Sequence, residues 1–230
     1  MPLYSLVSSS APHGAKDPSW FSLSLPLYKL ARKHIKAKRS ARMKRLLLTS
    51  LALWMTAAPL HAEMLKESNS IPSDFKVQNV EGKSLSFADL KGEQGAVLLF
   101  VRSLDWCPYC KKQVKDWNGR AEQLQQMGYP VTAISYDPPL TLQEFGESEG
   151  ITFPLVSDKD SKLIKAFGIL NTDFSETDPL YGIPEPTIYV VDAEGKITHV
   201  YQEDGYKRRP DPDVVIQDLS GELGSETPTE

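Results

Sequence analysis

A chain of 230 residues, 40% hydrophobic and 24% charged with a formal net charge of −4, has room for one large or two small domains. The charge is unevenly spread: residues 63–230 hold 16 Lys and Arg against 29 Asp and Glu, a net of −13. That acidity argues against nucleic acid as a partner and otherwise serves solubility, and the only two cysteines, Cys107 and Cys110, allow a monomer one disulfide.

The first sixty or so residues do not read as part of a fold. Residues 1–42 contain Ser and Pro at first and are then densely basic from Lys29 onward. They are expected to be a mis-assigned upstream extension, the protein beginning at Met43, or else a disordered basic leader; a basic arm for nucleic acid or membrane is the competing reading. Residues 43–62 have the anatomy of a secretory signal: Met43-Lys44-Arg45, an apolar run from Leu46 to Ala58, then Pro59-Leu60-His61-Ala62 before Glu63. The apolar stretch is short for a bilayer span. Export to the periplasm or another extracytoplasmic compartment is therefore expected, with no stable membrane anchor after cleavage and residues 63–230 as the folded domain.

Within that domain Phe75–Val80 alternates, Glu81-Gly82 marks a turn and Ser84–Phe87 continues, which predicts a hairpin. Ala96–Val101 is a continuous apolar run and so a buried strand. Beyond the cysteines Val114, Trp117, Ala121, Leu124 and Met127 recur at helical spacing up to Gly128, predicting one amphipathic helix. Tyr129–Tyr136 reads as a second buried strand, Leu142–Glu149 as a helix closed by Gly150, Phe153–Val156 as a short strand and Ser161–Phe167 as a helix. Thr187–Val191 and Ile197–Tyr201 form a hairpin across Asp192–Gly195, Asp213–Leu219 a closing helix, and Glu222–Glu230 a frayed end. Strands alternating with helices before a terminal hairpin and helix imply an α/β sandwich with a mixed sheet.

The chemistry concentrates at Cys107-Pro108-Tyr109-Cys110, between a strand and a helix. A bridge closing so short a loop removes little entropy from the unfolded chain, so the pair reads as chemistry rather than as a staple. If the helix starts at Cys107, that sulfur faces unpaired N–H groups and a positive helix end, with Lys111 and Lys112 nearby, and its thiolate is favoured. Pro108 suits the first turn. Cys110, one turn in, should be the more buried, giving an exposed attacking sulfur and a shielded resolving one. A zinc site would need more ligands, and only His199 lies beyond the leader region; covalent haem would need histidine where Lys111 stands. An inert buried pair is the bland alternative.

Asp105-Trp106-Cys107-Pro108-Tyr109-Cys110, followed some eighty residues on by Pro184-Glu185-Pro186-Thr187-Ile188-Tyr189-Val190-Val191-Asp192, resembles the thioredoxin fold. With Ile134-Ser135-Tyr136-Asp137, Phe153–Asp158 and the helix Leu163–Phe167, the chain more narrowly resembles the alkyl hydroperoxide reductase/thiol-specific antioxidant group, the peroxiredoxin-like branch, over residues 70–220. The Cys-Pro-Tyr-Cys itself is similar to that of glutaredoxins.

The resemblance implies a thioredoxin-like three-layer sandwich with a central mixed sheet. It implies Cys107 and Cys110 as catalytic residues, with Trp106, Pro108, Tyr109, Glu185 and Pro186 contacting substrate, Pro186 as a cis-proline and Glu185 beside Cys107. Two patterns depart from the family. Peroxiredoxins carry proline and threonine or serine where Phe100 and Leu104 stand, and a downstream arginine, whereas none occurs between Arg120 and Arg208. Thioredoxins place a buried carboxylate where Val101 stands. The expectation is thus a thiol-disulfide oxidoreductase with a protein dithiol or disulfide partner and no cofactor or metal. Peroxide reduction through a Cys107 sulfenic acid is the alternative, and Cu(I) delivery by the two thiolates and His199 a third.

Overall fold

In the computed structural model the described residues are 62–225, the side chains of 222–225 excepted, so the expected leader, the signal segment to residue 61 and residues 226–230 lie outside them. Seven strands form one sheet: β1 (Val77–Gln78), β2 (Ser84–Leu85), β3 (Gly95–Phe100), β4 (Val131–Ser135), β5 (Leu155–Ser157), β6 (Thr187–Asp192) and β7 (Ile197–Gln202), in the order β2-β1-β5-β4-β3-β6-β7. The helices are α1 (Pro108–Asn118), α2 (Ala121–Gln126), α3 (Pro139–Glu149), α4 (Lys162–Ala166) and α5 (Pro212–Ser225). Strands β3, β4 and β5 run parallel, while β6 and β7 on one side and β1 and β2 on the other are antiparallel. The mixed α/β sandwich read from the pattern is present.

The continuous apolar run at β3 is explained by burial on both faces, since alternate side chains of a strand point to opposite sides. Val97, Leu99 and Val101 join Val114 and Trp117 of α1, Leu124 of α2, Leu142 and Phe145 of α3 and Val215 and Leu219 of α5. Ala96, Leu98 and Phe100 join Leu163 and Ile164 of α4, with Phe75, Phe167 and Tyr189. Two cores back to back across one sheet make three layers. In register, Phe100 lies opposite Thr187, so the end of β3 and the start of β6 meet at one edge of the molecule. That is where the cysteines enter.

Three elements differ from their sequence readings. The stripe from Val114 to Met127 belongs to two helices, because the chain turns at Gly119-Arg120. There Asn118, the last residue of α1, donates from its side-chain amide to the Gly150 carbonyl at 3.0 Å and accepts the Thr152 N–H at 2.8 Å, while Arg120 pairs with Asp213 at 2.6 Å. The stripe survives because both helices face the same core. The expected hairpin of β1 and β2 holds only two residues a side, Val77 opposite Leu85, and Phe87 starts a 3-10 turn instead of extending it. The closing helix runs on to Ser225, through residues expected to fray. Gly150 ends α3 as expected, with φ 62° in the left-handed region that glycine adopts without penalty.

Candidate functional site

After β3 the chain runs through Arg102–Trp106 and delivers Cys107 to the N-terminus of α1. Cys107 is the N-cap, with an extended backbone (φ −91°, ψ 102°), and its Sγ accepts the Cys110 N–H at 3.3 Å. The sulfur thus takes the role an Asp or Ser oxygen fills at most helix starts. Pro108 sits in the first turn, where the N–H it lacks would have had no partner. Cys107 and Cys110 are joined as a disulfide with a Cα–Cα distance of 5.3 Å.

Both cysteines are covered in this form, Cys107 at 1% and Cys110 at 0% exposure, so the expected difference in access is absent from the disulfide state. Burial of Cys107 follows from its place among Val101, Leu104, Val114 and Ile188 in one core. What sets the two sulfurs apart is their donors. Cys107 Sγ meets a helix-terminal N–H, whereas Cys110 Sγ accepts from Arg209 Nη2 at 3.7 Å.

Of the two helix lysines expected to add positive charge, Lys112 is engaged by a carboxylate on its own helix, Asp116 one turn on, at 2.5 Å. Two arginines stand near as well. Arg102 is buried at 8% exposure, with its guanidinium carbon 5.2 Å from the Trp106 ring centroid and 4.7 Å from that of Tyr206. Arg209 is half-buried; burial first, then the charge of Arg102, push its pKa down to about 10, opposed by Glu185.

Glu185 is half-buried, its backbone N–H bonded to the Ile169 carbonyl at 2.7 Å. Burial first, and Asp173 next, raise its carboxyl above the usual range, while Arg102 and Arg209 pull it down. It therefore shares the electrostatic field of the two arginines. Pro186 is buried and leads directly into β6. Trp106 and Tyr109 flank the disulfide in sequence and are each 38% exposed, Trp106 donating from Nε1 to the Tyr136 hydroxyl at 3.1 Å and Tyr109 meeting Tyr206 edge-on at 5.9 Å. His199 lies on β7 opposite Val190, away from the β6 start, and no three His, Cys, Asp or Glu side chains among the described residues are grouped to hold a metal.

The loop before Cys107 is fixed by a residue to which the sequence reading gave no role beyond the family resemblance. Asp137, buried at 4% exposure just after β4, accepts the Leu104 N–H at 2.6 Å, the Ser103 hydroxyl at 2.9 Å and the Ser135 hydroxyl at 2.6 Å. Ser103 Oγ in turn accepts the Asp105 and Trp106 N–H groups at 3.0 and 3.3 Å. Burial raises the Asp137 pKa and these donors partly offset it. Arg102, Arg209 and Tyr206 were missed as well, although Lys207-Arg208-Arg209 is a basic run within an acidic domain and so a usable signal.

Residues 69–200 match the model of the AhpC/TSA family. Peroxiredoxin Bcp of Escherichia coli is 27% identical over 150 residues, which span 65% of this chain and 93% of that protein. The thiol-disulfide oxidoreductase ResA of Geobacillus thermodenitrificans is 26% identical over 132 residues, 57% of this chain and 67% of that one. Among solved structures, Peroxidoxin BcpB from Mycobacterium tuberculosis superposes with a TM-score of 0.59 at 20% identity, over 71% of this chain and 99% of that chain. The thiol peroxidase from Chromobacterium violaceum gives 0.60 at 17% identity, over 73% and 93%. At such identities the superpositions speak for the fold, which is the thioredoxin fold.

Proposed function

The chain belongs to the AhpC/TSA family and is a thiol-dependent oxidoreductase, and we propose that it works by disulfide exchange through a reversible Cys107–Cys110 pair. The observation that carries this reading is the unequal setting of the two sulfurs, with Cys107 capping α1 and Cys110 beside Arg209.

In the reducing direction the Cys107 thiolate attacks a substrate disulfide, one substrate thiolate leaves, and a mixed disulfide forms. Cys110 then attacks Cys107 Sγ, the second substrate thiolate leaves, and two electrons have passed from the dithiol to the substrate. In the reverse direction an external thiolate attacks Cys107, and Cys110 is the leaving group. A nearby guanidinium favours the Cys110 thiolate at that step, and thiols of lower pKa leave faster. Trp106, Pro108, Tyr109, Glu185 and Pro186 line the approach in this reading. Trapping tests it: Cys110→Ser should accumulate mixed disulfides with partner thiols and Cys107→Ser should not, and equal trapping by both would refute the assignment of the nucleophile.

A second reading, peroxide reduction through a Cys107 sulfenic acid, draws support from the name of the Escherichia coli relative and from the two arginines. Against it, Phe100 and Leu104 offer no side-chain donor, and the Leu104 N–H is already committed to Asp137. Positioned donors are commonly the largest catalytic contribution to such a step. The reading also includes export, supported by the signal-like segment 43–62. Fractionation of cells producing the full chain, with sequencing of the mature N-terminus, tests that part.

A further inference from the structure

The domain is strongly acidic, yet it holds two partly desolvated cations that act on one another, Arg209 against Cys110 Sγ and Arg102 over the Trp106 and Tyr206 rings. Among the described residues neither Arg102 nor Arg209 has a carboxylate within ion-pair distance, although surface cations such as Arg120 and Lys112 do. Arg102 Nε and Arg209 Nε are both buried without a hydrogen-bond partner. A guanidinium donor left bare in the interior costs free energy comparable to a lost charged hydrogen bond, so the arrangement stands ready for an acceptor. Glu185 feels both charges but offsets only one.

Arg209 also lines a cleft of about 510 Å³ that reaches from Tyr109 along α1 to the start of α5. Two more buried polar atoms without partners, Gln113 Oε1 and Trp117 Nε1, belong to residues on its wall. Arg102 and the two cysteines are not on its wall, so the cleft adjoins the disulfide through Tyr109 and Arg209, and its volume lies in the range of small-molecule sites, typically about 300–1,000 Å³.

We propose that Arg102 and Arg209 form a carboxylate-binding subsite that selects small disulfide substrates bearing a carboxylate near the sulfur–sulfur bond. This rests on the disulfide-exchange reading. The planar fork of an arginine matches a carboxylate, and the Trp106 and Tyr206 rings hold the Arg102 guanidinium in place, 5.2 and 4.7 Å from its carbon. With the carboxylate held there, the Cys107 thiolate attacks one substrate sulfur and the other leaves as a thiolate. Cys110 then releases the second, giving two substrate thiols for one protein disulfide.

The test compares three disulfides of similar size on the reduced full chain: dithiodipropionate with two carboxylates, bis-hydroxyethyl disulfide without charge, and cystamine with two ammonium groups. The expected kcat/KM falls in that order, the anionic substrate leading the neutral one on the order of tenfold at low salt and the gap closing as salt rises. Arg102→Gln should bring the anionic-to-neutral ratio close to one and Arg102→Lys should keep part of it; a general loss of rate cancels in the ratio. A ratio near one in the natural protein, or one unmoved by Arg102→Gln, would overturn the subsite. A second arm titrates the oxidised full chain with suberate, the all-carbon counterpart of dithiodipropionate, following tryptophan fluorescence. Suberate binding that is lost in Arg102→Gln, with no disulfide reduced, would retain the anion site and refute the exchange reading. Disulfide reduction without suberate binding would do the reverse.

Discussion

Replacing Asp137 by alanine should loosen the segment that presents Cys107, and the size of the effect can be built from its bonds. Asp137 accepts from the Leu104 N–H, the Ser103 hydroxyl and the Ser135 hydroxyl. The Leu104 N–H cannot turn away and would be buried unsatisfied, costing about 2 kcal/mol. The hydroxyls can re-aim, so each loses roughly 0.5 kcal/mol, and relief of a buried carboxylate returns a part; the net is about 2–3 kcal/mol. For a domain of this size that lowers Tm by roughly 4–12 °C. Urea unfolding of the oxidised protein measures it, together with the alkylation rate of Cys107 after reduction. Asp137→Asn keeps one acceptor for Leu104 and should lose only about 1 kcal/mol. Its pH dependence carries the sign. The folded-state pKa of Asp137 is raised, so the folded protein binds the proton more tightly than the unfolded chain. The associated stability is present in full below the unfolded value of about 3.9 and is lost as pH rises through the folded value. The Asn variant, which cannot ionise, should therefore gain on the natural protein as pH rises from acid to neutral. Unchanged stability and unchanged Cys107 reactivity in Asp137→Ala would refute the role given to this carboxylate.

Glu185→Gln removes a negative charge that shares the field of Arg102 and Arg209, so the Cys107 thiolate should form at lower pH, seen as a downward shift of its ultraviolet titration at low salt; an unmoved or raised curve would take Glu185 out of the site. Arg209→Gln should slow attack by an external thiol on the oxidised protein several-fold through the lost stabilisation of the Cys110 leaving group, read by stopped-flow reduction, and an unchanged rate would show that the contact at 3.7 Å has no such role. Hydrogen peroxide consumption should be slow against reduction of a model disulfide on the same preparation, and rapid peroxide turnover abolished by Cys107→Ser would promote the peroxidase reading.

The fold was legible where burial and backbone geometry act locally. A six-residue apolar run such as β3 has one economical fate, a central strand covered on both faces, and a left-handed Gly150 marks a helix end within a residue. The break between α1 and α2 was hidden, because it depends on Asn118 and Arg120 reaching to residues 150–152 and 213, contacts that leave the apolar period untouched. The two-residue strands β1 and β2 were overextended for a similar reason. Alternation continues past the point where Ser86 and Asp89 close a 3-10 turn with their own side chains.

At the site, adjacency made the cysteine pair readable and distance hid its electrostatics. Cys107, Pro108 and Cys110 declare a helix start by spacing alone, and the structure gives Cys107 that cap. Arg209 is 99 residues from Cys110 and Asp137 is 33 from Leu104, and both are brought to the site by the fold, Asp137 from just after the end of β4 and Arg209 from the segment between β7 and α5. The family interval between Arg120 and Arg208 holds no arginine, and the cations come from Arg209, one residue beyond it, and from Arg102, ahead of the cysteines. The one legible sign of Arg209 is that a domain with a net charge of −13 keeps Lys207-Arg208-Arg209 together. Surface acids pair with Arg120, Lys112 and Arg208, but Arg102 and Arg209 are withheld from them by burial. Among the described residues neither arginine forms an ion pair, Glu185 acting on both only at longer range, and Arg209 stands beside a sulfur that must carry negative charge in turnover, which is the feature the proposed subsite is built on.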